Sequence, residues 1–302
     1  MSIMEKLDVI IPTYNEADNI VSLLEKLKEV LYGAKIDYTV FVVDDHSTDG
    51  TYQKVDSYIT SSKDQRVKLL SKKGKQGKAY SILDGSRAGI SPFIAMIDGD
   101  LQYPPEALPE MYKLVQENAV VVANRKTNKS SLLRRVGSKV NHLVFERFLH
   151  GFKCDTQSGL KIFRKEIIDQ LDESEVSAWT LDMPLLNTAK QMGFSVGSVD
   201  IDFSDRKKGK SKINFVKAGI EIAKGSLALK VKKPRIYKIL GAESDKPLGA
   251  GVAYKSRRFI THTHLPHDLS ALYTLTGWQK VGIVSILTLV SLGLFLNLRL
   301  LA

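Results

Sequence analysis

The sequence predicts an α/β protein in which a mostly parallel sheet carries helices on both faces, followed by a C-terminal transmembrane helix. Three observations lead to this fold class. Short apolar runs alternate with helical patterns over about 125 residues. Acidic residues directly follow several of these runs, as expected where ligands bind at the edge of an open sheet. The last long apolar stretch, residues 281–296, contains no charged residue.

The predicted strands are short apolar runs bounded by proline, glycine or polar turn residues. They cover residues 7–11, 38–43, 67–70, 93–97, 120–123 and 196–203. Apolar residues at helical spacing predict an amphipathic helix over residues 20–31, and residues 79–88 also have a helical pattern. A further helix is predicted to begin at Pro104 and Pro105, because proline is tolerated in a first helical turn. Residues 72–78 form a basic loop that contains two glycines.

Carboxylates follow three of the predicted strands. Glu16 follows the first, Asp44 and Asp45 the second, and Asp98 and Asp100 the fourth. Parallel strands with right-handed crossovers bring these ends to one edge of the sheet. Asp98 and Asp100 can reach one divalent cation there, and their hard oxygen ligands suit Mg²⁺ or Mn²⁺ bound to a diphosphate. A single Asp-x-Asp taken alone is as well explained by a polar turn.

The sequence lacks the glycine-rich motif with which many α/β proteins bind dinucleotides. No G-x-G-x-x-G follows the first predicted strand, so the glycine-rich dinucleotide fingerprint is excluded. A carboxylate at the end of the second strand can instead accept hydrogen bonds from a ribose or a base edge.

Composition indicates a globular protein with a sizeable core. The chain has 302 residues, of which 43% are hydrophobic and 25% are charged. Cys154 is the single cysteine, so an intrachain disulfide is excluded and a reducing setting is expected. The first eight residues lack the apolar region of a signal peptide.

The formal net charge of +11 is concentrated in one segment. Residues 205–238 contain twelve Lys and Arg against two acidic residues. Such a stripe indicates an anionic partner, which could be nucleic acid, a lipid headgroup surface or a phosphorylated substrate. A solvated helix face is the simpler alternative.

The C-terminal stretch favours a membrane partner. Counted through to the end of the chain, with Arg299 reaching the interface, it has the length of a membrane span. Trp278 and Lys280 lie where an interfacial anchor is expected, and the positive charge before the span predicts a cytoplasmic main domain. The predicted organisation is a cytoplasmic catalytic domain (1–232), a linker or juxtamembrane segment (233–277) and a transmembrane helix (278–302).

Five motifs occur in order along the chain, and together they are far more specific than any one alone. They are Ile10–Glu16 (IIPTYNE), Val42–Asp45 (VVDD), Asp98–Gln102 (DGDLQ), Asn124-Arg125 and Asp155–Gly159 (DTQSG). On these residues the chain resembles family-two glycosyltransferases of the GT-A fold. Within them it is most similar to dolichol-phosphate mannose synthases and bacterial polyprenyl-phosphate glycosyltransferases. The resemblance covers roughly residues 7–230.

The resemblance implies roles for individual residues. Those implied to bind the nucleotide sugar are Pro12, Tyr14, Glu16, Asp44, Asp45, Asp98, Gly99 and Lys212. Those implied to hold Mg²⁺ or Mn²⁺ with the diphosphate are Asp98, Asp100 and Gln102. Those implied near the acceptor phosphate are Ser158, Arg125 and Arg206, and those implied to be catalytic are Asp100, Arg125 and Arg206.

The implied activity is inverting transfer of one sugar, mannose or glucose, from a GDP- or UDP-linked donor to a polyprenyl or dolichyl phosphate at the cytoplasmic membrane face. An acceptor phosphate is already anionic and needs no general base. Asp182 could match the catalytic carboxylate of relatives that use hydroxyl acceptors, although a structural or positioning role is favoured. The alternatives are a glycosyltransferase acting on a polysaccharide or protein hydroxyl, and a basic membrane-anchored nucleic-acid-binding protein.

Four segments complete the predictions. Residues 130–150 have the pattern of a helix, either over the acceptor site or in the core. Residues 204–212 read as a mobile basic loop, and 213–231 as an amphipathic helix on the membrane or on the sheet. A crowded set of histidines invites a zinc interpretation, but its spacing fits no helical zinc motif; it comprises His262, His264 and His267.

Overall fold

A seven-stranded sheet organises the part of the chain that the computed structural model describes, which is residues 5–126, 152 and 154–204. The strands are β1 (Leu7–Thr13), β2 (Tyr38–Asp44), β3 (Val67–Ser71), β4 (Phe93–Met96), β5 (Val120–Lys126), β6 (Lys161–Arg164) and β7 (Val196–Asp202). Their order across the sheet is β3-β2-β1-β4-β6-β5-β7. Only β6 runs antiparallel to its neighbours among these strands, so the predicted mostly parallel sheet is confirmed.

Six α-helices connect the strands within the described residues, and three of them lie where the sequence analysis predicted helices. They are α1 (Ile20–Gly33), α2 (Thr51–Ser62), α3 (Lys78–Ala88), α4 (Leu108–Val115), α5 (Lys165–Asp169) and α6 (Asp182–Gln191). In α1, Leu23, Leu27 and Leu31 recur at helical spacing and are buried against the sheet. A 3₁₀ turn at Pro105–Ala107 leads directly into α4, as the proline pair predicted.

The helices cover both faces of the sheet, as the alternation of side chains along β1 illustrates. Val9 and Ile11 belong to an apolar cluster that includes the buried residues of α1 and α4. Ile10, which points to the opposite face, belongs to a second cluster that includes Ile82 of α3 and Leu185 of α6. The strands between the clusters are therefore buried on both faces, which explains their nearly continuous apolar sequences.

Strand β6 was not among the predicted strands. Its sequence, Lys-Ile-Phe-Arg, has a charged residue at each end and only two apolar residues between them. The structure nevertheless buries Lys161 completely, opposite Met96 of β4 and Val122 of β5. A lysine at the start of an apolar pair is typical of an exposed turn, so the local pattern gave no sign of a central strand.

The carboxyl ends of β2, β1 and β4 lie side by side. Thr13, the last residue of β1, is in register with Asp44, the last residue of β2. In the other direction Ile10 is in register with Met96, the last residue of β4, and its carbonyl accepts the N–H of Ile97. The three acidic strand ends thus converge on one edge of the sheet, where ligands of open α/β sheets bind.

Several predictions concern residues outside the described ones. These are Arg206, Lys212, the helices over 130–150 and 213–231, the histidine group, the linker 233–277 and the transmembrane helix 278–302. Within residues 5–126, 152 and 154–204, no helix combines the length and the apolar character that a membrane span requires.

Candidate active site

The turns that follow β1 and β2 are bound to each other. The carboxylate of Asp44 accepts the N–H of Ser47 at 3.1 Å and the hydroxyl of Thr13 at 3.4 Å. Asn15, in the left-handed region at φ 56°, accepts the N–H of Thr48 at 2.7 Å and donates its own N–H to Ser47 at 2.8 Å. Asp44 is buried within this frame, so its carboxylate stabilises the turn.

Asp45 joins the end of β2 to the basic glycine loop before α3. Its Oδ2 accepts the N–H of Gly77 at 2.7 Å, and its Oδ1 lies 3.2 Å from Nζ of the buried Lys72. Nδ1 of His46 lies 3.2 Å from the same Oδ1. Asp45 was predicted to contact the nucleoside, and the structure shows in addition that it anchors this loop.

Gly77 fixes the start of α3. Its φ of 135° is strained for any other residue, and a Cβ there would lie 2.6 Å from Cα of Ala178. Its carbonyl accepts Nζ of Lys72 at 3.0 Å, while the N–H of Ala79 donates to the carbonyl of Ala178 at 3.1 Å. Lys78 is therefore held between two restrained neighbours.

Asp98 forms an ion pair with Lys78. Oδ1 of Asp98 lies 2.5 Å from Nζ of Lys78, and about a quarter of the Asp98 side chain and 31% of that of Lys78 are exposed. On its other side the carboxylate packs against Gly159, where a Cβ would lie 2.2 Å from Oδ2. Burial opposes the charged form of Lys78, but the carboxylates of Asp98 and Asp182 outweigh it and raise the pKa of Lys78.

The turn after Asp98 is tight, and it hydrogen-bonds with the chain just after β7. Asp100 is buried and its Oδ1 accepts the N–H of Gln102 at 3.1 Å, while Leu101 between them has φ 61°. Gln102 donates its side-chain amide to the carbonyl of Ser204 at 3.1 Å, and its own carbonyl accepts the N–H of Ser204 at 3.1 Å. Gln102, predicted to lie near the metal, thus holds the chain just before the basic segment.

The residues predicted to line the nucleotide after β1 lie beside the Asp98 turn. A Cβ on Gly99 would lie 3.4 Å from Cγ of Glu16, so the two loops touch. The carboxylate of Glu16 accepts the side-chain amide of Asn19 at 2.9 Å. Pro12 is partly buried in β1, and Tyr14 is 47% exposed.

Arg125, at the end of β5, is oriented by Asp155. Its Nε and Nη2 donate to the two carboxylate oxygens at 2.5 Å and 3.0 Å, a bidentate pair, and the guanidinium lies 5.4 Å from the ring centre of Phe203. The side-chain oxygen of Asn124 accepts the N–H of Asp155 at 2.8 Å and so fixes the carboxylate. Burial opposes the charge of Arg125, but the hydrogen bonds that it donates to Asp155 outweigh this effect and raise the pKa of Arg125.

Ser158 lies deeper than its predicted role suggests. The side chain is fully buried, and its hydroxyl hydrogen-bonds with the backbone of Leu160. Its carbonyl accepts Nζ of the buried Lys161, which also forms an ion pair with Asp182 at the first turn of α6. In this arrangement the Ser158 hydroxyl is engaged in shaping the loop before β6.

Tyr103 contacts the loop that also contains Ser158. Its hydroxyl oxygen accepts the N–H of Gly159 at 2.6 Å. Burial raises the pKa of Tyr103 to about 12, an effect that Arg125 opposes and Asp98 reinforces. The phenol is therefore neutral and sits within electrostatic reach of both Arg125 and Asp98.

The site therefore combines an acidic sheet edge with two oriented cationic side chains, those of Lys78 and Arg125. The model of one protein family, glycosyl transferase family 2, matches residues 8–172, which is more than half of the chain. The chain belongs to glycosyl transferase family 2. The predicted family and the prediction of a glycosyltransferase are thereby confirmed.

Two relatives of this family 2 glycosyltransferase have lipid phosphates in their names. A dolichol-phosphate mannosyltransferase of Pyrococcus furiosus is 28% identical over 216 residues, which are 69% of this chain and 59% of the relative. An undecaprenyl-phosphate 4-deoxy-4-formamido-L-arabinose transferase of Proteus mirabilis is 25% identical over 215 residues, 71% of this chain and 64% of the relative. The chain thus spans less than two thirds of the length of either protein.

Solved structures similar to this glycosyltransferase share its fold. A glucosyl-3-phosphoglycerate synthase of Mycobacterium tuberculosis, in complex with Mn²⁺, UDP-glucose and phosphoglyceric acid, has a TM-score of 0.61 at 16% identity, covering 75% of this chain and 80% of that one. A mannosyl-3-phosphoglycerate synthase of Rubrobacter xylanophilus has a TM-score of 0.57 at 15% identity, covering 74% and 73%. The predicted GT-A-like α/β fold is confirmed.

The oxygen donors of this family 2 site fit a divalent cation of the Mg²⁺ type. Within the described residues, no three His, Cys, Asp or Glu side chains are grouped to hold an ion by themselves. Mg²⁺ is, however, usually bound by one or two carboxylates together with substrate phosphates. Asp98 and Asp100 can supply the carboxylates, and the side-chain oxygen of Gln102 is a further hard donor.

Sequence reasoning missed Lys78, Lys161 and Tyr103 as site residues of this glycosyltransferase. Lys78 closes a loop that was noted only for its basic character, although its position immediately before a predicted helix was a usable signal. Lys161 directly follows the Asp155–Gly159 motif, and Tyr103 directly follows Gln102. Proximity to a motif was thus the signal available, but their partners Asp98, Asp182 and Gly159 lie far away in sequence.

Proposed function

We propose that the protein transfers one sugar, mannose or glucose, from a GDP- or UDP-linked donor to a polyprenyl or dolichyl phosphate, with inversion at the sugar carbon. The observation that carries this proposal is the convergence of the β1, β2 and β4 acidic ends beside the oriented Arg125. The lipid phosphates named in both relatives support the acceptor class.

For the donor, we assign the nucleoside to the turns after β1 and β2 and the diphosphate to the turn after β4. Asp45 borders the first region, and Asp98 with Asp100 the second. Glu16 and Gly99 lie where the two regions touch. The remaining residues proposed to bind the nucleotide sugar are Pro12, Tyr14, Asp44 and Lys212.

Mg²⁺ or Mn²⁺ is proposed to bind at Asp98, Asp100 and Gln102 with the donor diphosphate. When bound, the cation would act as a Lewis acid that stabilises the negative charge of the departing nucleoside diphosphate. The Mn²⁺ in the solved glucosyl-3-phosphoglycerate synthase supports a divalent cation in this fold.

For the acceptor, Arg125 and Arg206 are proposed to bind the lipid phosphate, with Ser158 shaping the loop before β6. An oxygen of the acceptor phosphate attacks the anomeric carbon from the side opposite the leaving group. The new bond joins that oxygen to the carbon as the carbon–oxygen bond to the diphosphate breaks, so the configuration inverts. Because the nucleophile is already an anion, positioning and charge stabilisation suffice. Asp100, Arg125 and Arg206 are the proposed catalytic residues.

A hydroxyl acceptor is the second candidate, and the position of Asp182 favours it. This carboxylate lies near Lys78, whose pKa it raises, and so borders the donor site. A hydroxyl must lose a proton as it attacks, and a carboxylate is suited to accept it. The ion pair between Asp182 and Lys161 favours the positioning role instead.

The setting proposed for this activity is the cytoplasmic face of a membrane. Residues 1–232 would form the catalytic domain, 233–277 a juxtamembrane linker, and 278–302 a single membrane-spanning anchor. The basic segment 205–238 would then face anionic headgroups and the acceptor phosphate. A nucleic-acid-binding function, by contrast, leaves the acidic sheet edge unexplained.

The deciding experiment is a transfer assay with the purified chain, GDP-mannose or UDP-glucose, a short polyprenyl phosphate and MnCl₂. We expect labelled sugar to enter the organic phase, and a chelator to abolish the transfer. Sugar found only on a water-soluble or protein acceptor would overturn the lipid assignment in favour of the second candidate. Binding of labelled oligonucleotide with strong salt dependence and no sugar transfer would support the nucleic-acid alternative.

A further inference from the structure

The carboxylate proposed to receive a divalent cation already has a cation beside it. Nζ of Lys78 lies 2.5 Å from Oδ1 of Asp98. An ammonium group is a point charge with three donors and no acceptor, so it neutralises the carboxylate but cannot take part in holding a metal. A metal ion approaching Asp98 must therefore either displace Lys78 or bind against its repulsion.

We propose that Lys78 is a counter-ion of Asp98 that weakens the binding of a divalent cation alone, so that the metal binds together with the donor diphosphate. This inference rests on the donor site of the proposed function. It assigns a role to Lys78, which lies outside the motifs that carry the family resemblance. It also states that the metal and the donor diphosphate bind together.

The backbone on both sides of Lys78 is held in place, which keeps Lys78 next to Asp98. Gly77 is held by Oδ2 of Asp45 at 2.7 Å and packs directly against Ala178. Ala79 donates its N–H to the carbonyl of Ala178 at 3.1 Å. With both neighbours fixed, the Lys78 backbone cannot withdraw, and only rotation of its side chain can separate the ammonium group from Asp98.

The side chains, in contrast, remain within reach of a ligand. Part of Lys78 (31%) and part of Asp98 (26%) are exposed at the sheet edge. A nucleoside diphosphate brings several negative charges there, and these offer Lys78 a second anionic partner. Once Lys78 turns to the diphosphate, Asp98 becomes available to the cation. The donor thereby promotes metal binding, and reciprocally the metal promotes donor binding.

The experiment measures Mn²⁺ affinity of the full 302-residue chain by electron paramagnetic resonance, with and without UDP or GDP. Without nucleotide, we expect Lys78→Met to bind Mn²⁺ roughly tenfold more tightly than the wild type, because a repelling charge in contact with the ligand is removed. Lys78→Arg should retain the wild-type affinity. Lys73→Met is the matched control, since it removes an equal charge from an exposed position in the same loop. With nucleotide, the advantage of Lys78→Met should shrink or reverse.

Each outcome has a distinct meaning. Equal Mn²⁺ affinity of the wild type and Lys78→Met, with folding verified by circular dichroism, overturns the counter-ion role and leaves the proposed function intact. An equal gain in Lys73→Met shows a general charge effect and also overturns it. Failure of every variant to bind Mn²⁺ overturns both this inference and the proposed metal site. The sugar-transfer assay, run separately, tests the proposed activity.

Discussion

Gly77 donates its backbone N–H to Oδ2 of Asp45 at 2.7 Å, and this hydrogen bond links two halves of the proposed donor site. Asp45 directly follows β2 and borders the turns proposed to bind the nucleoside. The residue after Gly77 is Lys78, which pairs with Asp98 on the diphosphate side. A single loop therefore sets the spacing between the two carboxylates, and its geometry depends on a glycine.

Gly77→Ala should destabilise the protein by about 2 kcal/mol or more, because the new methyl group meets Ala178 and the backbone has φ 135°. Urea unfolding followed by fluorescence measures this. Gly74→Ala is the control, since no atom lies within 4 Å of a Cβ there, and it should change the stability by less than about 0.5 kcal/mol. Equal effects of the two substitutions would contradict the packing argument.

Asp100→Ala should abolish metal-dependent donor hydrolysis and sugar transfer, with a loss of at least roughly a hundredfold in kcat. The reason is that the proposed cation site loses one of its two carboxylates. Asp56→Ala, at an exposed position on α2, removes the same charge away from the site and should leave turnover unchanged. Full activity of Asp100→Ala would rule out the proposed metal role.

Arg206→Ala should impair use of the polyprenyl phosphate more than donor binding. We expect the KM for the lipid to rise roughly tenfold, because a charge-assisted contact to its phosphate is lost. The Kd for the nucleoside diphosphate, measured by calorimetry, should change little. A parallel loss of both affinities would instead place Arg206 at the donor.

Lys161→Met should destabilise the protein by about 3–5 kcal/mol, because it leaves the partly buried carboxylate of Asp182 without its ion-pair partner. The double variant Lys161→Met, Asp182→Leu should recover much of this loss in urea unfolding. If the double variant also keeps full sugar transfer, Asp182 has a structural role. If it is stable but inactive, Asp182 takes part in the reaction.

Because the pKa of Tyr103 is raised in the folded protein, we expect the protein to lose stability in strong alkali. Its pKa of about 12 in the folded protein lies above the ordinary tyrosine value of 10.0, so its contribution to stability is complete below pH 10 and declines as the pH rises towards 12. In that window this group lowers the free energy of unfolding by roughly 1.4 kcal/mol per pH unit. Tyr103→Phe should show a correspondingly flatter pH profile, and an unchanged profile would exclude this assignment.

The parallel strands were predictable because burial on both faces leaves a simple sequence signature. Runs such as residues 38–43 and 93–97 are almost wholly apolar, and each ends at the carboxylates that β2 and β4 present to the site. The acidic edge therefore followed from local patterns together with the rule that parallel strand ends share an edge.

The pairing of charges could not be predicted in the same way. Lys78 and Asp98 are 20 residues apart, and Lys161 and Asp182 are 21 apart. Each pair depends on how separate loops meet in three dimensions. Strand β6 was not predicted for the same reason. Lys161 is buried because Asp182 neutralises it, but the local sequence does not show this partner, so the lysine was interpreted as solvent-exposed. Ser158 was placed near the acceptor by its motif, and its burial is visible only in the folded chain.

The antiparallel direction of β6 has a consequence for diversification of the enzyme. The chain leaves the sheet where β5 ends at Lys126 and rejoins it where β6 begins at Lys161, which lies opposite Met96 at the end of β4. Because β6 is antiparallel to both β4 and β5, the end of β5 and the start of β6 lie at the same rim of the sheet. Insertions and deletions in the stretch between them leave strand register untouched. Sequence change between Lys126 and Lys161 is therefore expected to vary the surroundings of the acidic sheet edge without altering the pairing of β6 with β4 and β5.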